Sequence, residues 1–127
     1  MTKTTTAALI ALAITVPALS TASPMLRPAP QQVLDLAYAI DRAIDPLAGI
    51  ALDCVAAMEA FGDEKGQDSL SCQGTVSLRA TLSDALSRLT RWVENHPLET
   101  LGLPSGARLR DRFEAALEPL NRWERSR

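Results

Sequence analysis

Histidine, lysine, cysteine and aromatic side chains are all scarce in this chain. Its 127 residues include one histidine, two lysines, two cysteines and five aromatic residues. One histidine and two cysteines cannot build a four-ligand Cys/His zinc site. With aromatics at 4%, the apolar positions fall to 20 alanines and 19 leucines, a composition that favours helices over sheets. A formal net charge of −2 excludes a general binder of polyanions, and a hydrophobic content of 46% excludes wholesale disorder. No serine sits in a G-x-S-x-G turn, and no glycine pattern suits a bound phosphate. The length allows one small domain.

Residues 1–22 have the three parts of a cleaved secretory signal peptide. Lys3 supplies the positive start, Ala7 to Leu19 form an apolar run, and Ser20-Thr21-Ala22 offers small residues for cleavage. The run of 13 residues falls short of the roughly 20 that a membrane-spanning helix needs. Cleavage is expected after Ala22, with Ser20 the second choice and an uncleaved anchor the competing reading. The mature chain would then hold 105 residues, a charge of −3 and no transmembrane segment. Export, whether to a periplasm or to the extracellular medium, gives the two cysteines a meaning. An even pair in a small exported domain predicts a Cys54–Cys72 disulfide rather than two free thiols, worth about 3 kcal/mol by the chain-entropy model.

Residues 23–30 read as a Pro-rich extended tether, and 31–127 as a single helical domain. Three segments keep a 4,3 spacing of apolar residues, the mark of an amphipathic helix. The first stripe is Val33, Ala37, Ile40, Ile44, Leu47, Ala51, Cys54, Met58 and Phe61. Because it stays in register through Pro46, it predicts one kinked helix over about 31–61 rather than two separate helices. The second stripe is Leu78, Leu82, Ala85, Leu89, Trp92 and His96, widened by Leu86 and Val93 and stopped by Pro97. The third is Leu109, Phe113, Ala116, Leu120 and Trp123, with Ser105 as its N-cap and Pro119 expected to kink or end it. Residues 62–74, with three glycines, are expected to form a loop, and the connection after His96 to pack on the bundle through Leu98, Leu101 and Leu103. The fold class is therefore all-α: a small antiparallel bundle of three main helices with one disulfide.

Charge is unevenly spread. Residues 31–78 carry eight acids against Arg42 and Lys65, whereas 79–127 carry nine arginines against seven acids. Such a split is most simply explained by solvated helix faces, with attraction between the two halves of the fold or an Arg-bearing face for a partner as the alternatives. The C-terminal arginines alternate with Asp111, Glu114, Glu118 and Glu124, which argues against nucleic acid as a partner.

Candidate chemistry is thin. His96, at a helix end, suits a structural role with the helix dipole better than catalysis. Asp41 and Asp45 share a helical face at i,i+4, close enough for a cation or a shared proton, though a solvated face explains them as well. The segment Asp63–Asp68 fails the EF-hand pattern at Lys65 and Gln67. No residue set calls for a cofactor or a metal, and the balance leans away from an enzyme. Residues 82–93 and 113–124 echo one another, each placing an Arg-Trp pair near a helix end: Arg91-Trp92 and Arg122-Trp123. Leu34, Tyr38, Leu52 and Leu86 suggest a second, partly apolar face, either a further packing surface or the seam of a homodimer.

The expected function is that of a secreted binding protein for another macromolecule, with Trp92, Trp123, Tyr38, Arg91 and Arg122 as candidate contacts. The alternative is a carrier that holds a small apolar ligand or lipid between its helices, near Trp92 and Trp123.

Overall fold

The computed structural model describes residues 25–126. The expected signal segment and cleavage site lie outside them. Three long helices and one short one make up the domain: α1 (Gln31–Phe61), α2 (Asp63–Gln67), α3 (Leu70–Asn95) and α4 (Gly106–Arg125). None of the described helices is long and apolar enough to cross a membrane.

Helix α1 follows its stripe. Val33, Ala37, Ile40, Ile44, Leu47, Ala51, Cys54 and Met58 are all buried, and the helix runs through Pro46 without a break. Proline inside a helix costs about 3 kcal/mol through its missing N–H and its clash one turn back. Two buried neighbours on the stripe, Ile44 and Leu47, flank Pro46 and hold the backbone helical on both sides. Asp45 therefore lies within a continuous helix rather than capping a second one. The chain stops at Gly62, whose positive φ of 86° suits glycine and whose N–H donates to the Met58 carbonyl at 3.0 Å.

The stretch 62–74 is a correction to the expected loop. It contains α2 and the first turn of α3. Ser69 is the N-cap of α3, its Oγ accepting from the Cys72 N–H at 3.2 Å. One of its three glycines, Gly66, serves close approach instead of turning the chain. Gly66 is buried against α1, where an added Cβ would fall 2.5 Å from the Met58 Cα. Gly74 lies inside α3, its Cβ position 3.6 Å from Ile50.

Helix α4 begins where expected, with Ser105 Oγ accepting from the Arg108 N–H at 3.3 Å. It continues through Pro119 to Arg125, so that proline does not end it. Helix α3 runs antiparallel to α1, joined to it by the Cys54–Cys72 disulfide. Helix α4 returns parallel to α1, setting Leu120 beside Cys54 and Met58.

Most buried residues form one cluster, in which the α1 stripe meets Leu82, Ala85, Leu86 and Leu89 of α3 and Leu109, Ala116 and Leu117 of α4. A smaller cluster at the other end holds Cys54, Met58, Cys72 and Leu120, with Val55 and Trp123 against it. Thr75 is the one fully buried polar side chain among the described residues, and it donates to the Ser71 carbonyl at 2.7 Å.

The Pro-rich run is extended and docked. Arg27 N–H donates to the Leu98 carbonyl at 2.7 Å, Ala29 N–H to Leu101 at 3.1 Å, and Leu101 N–H back to Arg27 at 3.0 Å. Ala29 is buried as a result.

The glycines make a paired prediction. Gly66→Ala should lower stability by about 1–3 kcal/mol, because its methyl meets backbone that cannot move aside cheaply. Gly49, with open space at its Cβ position, should gain about 0.5–1 kcal/mol on conversion to Ala through helix propensity alone. Thermal melts of the two variants should move in opposite directions; equal melting of Gly66→Ala and the parent would contradict the close approach.

Candidate functional site

Helices α3 and α4 each lie along α1 but scarcely touch one another. Between the C-terminal half of α3 and the start of α4 this leaves an open cleft of about 500 Å³, within the roughly 300–1,000 Å³ typical of ligand sites. Leu86, Leu89 and Val93 of α3 face Leu103 of the connection across it, and Gly106 and Ala107 of the first turn of α4 complete a wall. Five polar side chains join these apolar ones: Thr90, Glu94, Thr100, Ser105 and Arg110.

Thr90 and Arg110 are linked. Thr90 Oγ1 donates to the Leu86 carbonyl at 2.8 Å, leaving its lone pairs to accept from Arg110 Nη2 at 3.2 Å. The guanidinium is thus tied to one wall, and it forms no ion pair among the described residues. The connection wall is itself fastened. Tyr38 donates its hydroxyl to the Gly102 carbonyl at 2.9 Å, and Gly102 takes a positive φ of 93° beside Leu34.

The residues singled out from sequence do not converge on one place. Trp92 packs against the main core and stacks on His96 with ring centroids 4.4 Å apart, while His96 Nδ1 lies 3.0 Å from the Trp92 carbonyl oxygen. Trp123 packs at the opposite end against the disulfide cluster, its Nε1 buried with no hydrogen-bond partner. Neither tryptophan lines the cleft: Trp123 lies at the other end of the bundle, and Trp92, though beside the cleft in sequence, packs on the core and on His96. Arg91 is exposed. Of the proposed second face, Leu86 belongs to the core and Leu34 is half-buried beside Gly102, while Tyr38 and Leu52 stay exposed. Leu52, Val55, Pro119, Arg122 and Trp123 border a smaller hollow of about 330 Å³.

Arg122 lies 4.0 Å from Glu118, which also accepts from Arg125 at 2.7 Å. That hydrogen bond, then the Arg125 charge, hold the Glu118 carboxyl below its ordinary range, with Arg122 adding to the same effect and desolvation opposing it.

Asp41 and Asp45 are not a free acid pair. Arg112 of α4 donates to the Asp41 carboxylate and reaches Asp45 at 3.4 Å. This pairing joins two acids of the first half of the chain to an arginine of the second half. Among the described residues no three of His, Cys, Asp and Glu are grouped to hold a metal. Comparison of the chain with protein-family models, with curated proteins and with solved structures gave no match. Function must therefore be argued from the site itself.

Sequence reading missed the cleft, although parts of it were visible. Leu103 was expected to pack on the bundle, and Arg110 stood among the C-terminal arginines. Nothing in the spacing marks Thr90 as the partner of Arg110 across two helices.

Arg112→Leu should cost about 1 kcal/mol, since the pair is partly exposed and the two acids are left facing each other. Chemical denaturation at low and high salt would measure it. The loss should shrink as salt rises, and a salt-independent loss would point to packing rather than charge.

Proposed function

We propose that the protein is an exported, non-catalytic binding protein that holds a small apolar ligand in the cleft between α3 and α4. The observation that carries this reading is the cleft itself: about 500 Å³ of open space with an apolar floor and few polar groups. It reverses the order expected from sequence, where a macromolecular partner came first. A carrier needs a preformed hollow more than it needs reactive groups. The tryptophans take no part in binding under this reading.

Export draws on a different set of features. Lys3, the apolar run from Ala7 to Leu19 and the small residues at 20–22 have the order of a cleaved signal. The disulfide between α1 and α3 fits an oxidising compartment. Protein recovered from the native extracellular or envelope fraction should begin at Ser23; recovery with Met1 intact would contradict cleavage.

Ligand binding is testable with N-phenyl-1-naphthylamine, a neutral dye that brightens in apolar sites. Its fluorescence should rise with the oxidised protein and saturate near one dye per chain. Val93→Trp places a large side chain in a half-buried position of the cleft wall and should abolish most of the rise. An unchanged signal in that variant, or none in the parent, would overturn the proposal.

A further inference from the structure

The polar groups of the cleft are asymmetric, and their arrangement selects among apolar ligands. Arg110 is held against α3 by its hydrogen bond to Thr90 Oγ1 at 3.2 Å. Thr90 has already committed its own proton to the Leu86 carbonyl at 2.8 Å. It can therefore only accept from Arg110, which fixes which way that bond runs. A guanidinium has five N–H donors, and one bond to a hydroxyl leaves most of them unused at the edge of an apolar floor. No carboxylate of the described chain forms an ion pair with it. Glu94, the other charged group in the wall, lies four residues beyond Thr90 on α3. That separation is one helical turn, about 6 Å along the axis, toward the Pro97 end.

Resting on the binding function proposed above, we propose that the cleft takes a single-chain carboxylate amphiphile of the fatty-acid class, its head on Arg110 and its chain along Leu86, Leu89, Val93 and Leu103. A carboxylate matches the planar guanidinium through two parallel hydrogen bonds. A neutral alcohol of equal chain length fills the same floor but makes no charged bond. A cationic amphiphile meets Arg110 with like charge. Glu94 weakens the carboxylate ligand from one turn away, so the two charged residues act with opposite sign. Each methylene buried on the floor should tighten binding about four-fold until the floor is full.

The test is an amide-shift NMR titration of the oxidised protein with decanoate, decanol and decylamine, each below its aggregation limit. Decanoate should bind at least ten-fold more tightly than the other two, with shifts centred on Thr90, Val93, Leu103, Ala107 and Arg110. Arg110→Gln should weaken decanoate about ten-fold and leave decanol unchanged, whereas Glu94→Gln should tighten decanoate several-fold. Both residues are exposed, and an undisturbed spectrum of each free variant shows that the fold is kept. Equal binding of the three probes within the cleft, or equal decanoate affinity in Arg110→Gln, overturns the carboxylate assignment while the apolar-ligand function stands. Absence of cleft shifts with every probe overturns both.

Discussion

One stripe of side chains on α1 holds the molecule together. Its members are mostly alanine and medium-sized aliphatics, and both long partner helices pack on them while scarcely meeting each other. Removing α1 would leave α3 and α4 without a common core. The stripe repeats every 3.5 residues on average, and a straight helix drifts about 20° per heptad against such a repeat. Over the four heptads from Val33 to Phe61 the drift accumulates to about 80°, enough to turn the last member off the core face. Phe61 is accordingly 68% exposed, although it keeps the spacing of the eight buried residues before it.

At the C-terminal end of α1 the core is small. Four buried residues make up the cluster there, two of them the bonded cysteines. Apolar burial on that scale secures little, so covalent closure between α1 and α3 carries much of the cohesion at this end. Trp123 covers the cluster at the cost of an unpaired indole N–H, an arrangement that favours packing over hydrogen bonding. Toward the other end of α1, apolar burial is supplemented by the Arg112 contacts to Asp41 and Asp45. The two ends are therefore held by different chemistry, a disulfide at one and a larger core with ion pairs at the other.

The stripes were legible because burial on a helix imposes a period, and a period survives in sequence. The Ser105 cap was legible because its partner amide is three residues away. The segment 62–74 was misread because glycine has two uses, turning a chain and admitting a neighbour. Gly62 does the first, while Gly66 does the second, and only the position of Met58 distinguishes them. The repeated Arg-Trp pairs were legible as a pattern but not as a place, since antiparallel helices carry equal patterns to opposite ends. The cleft was legible only in fragments, as Leu103 and Arg110, and not as a place. It depends on the angle at which α3 and α4 diverge from α1, which no local spacing records.

The extended run at 25–30 is tied to one wall of that cleft. Its hydrogen bonds to Leu98 and Leu101 and the Tyr38 bond to Gly102 fasten the same connection from two sides. That connection supplies Leu103 to the cleft. Leu98 and Leu101 stay at least one-third exposed while their backbone pairs with residues 27 and 29. An apolar hollow in a small protein normally collapses unless its walls are fixed. Here the wall is fastened by backbone bonds from Arg27 and Ala29 to the connection that carries Leu103.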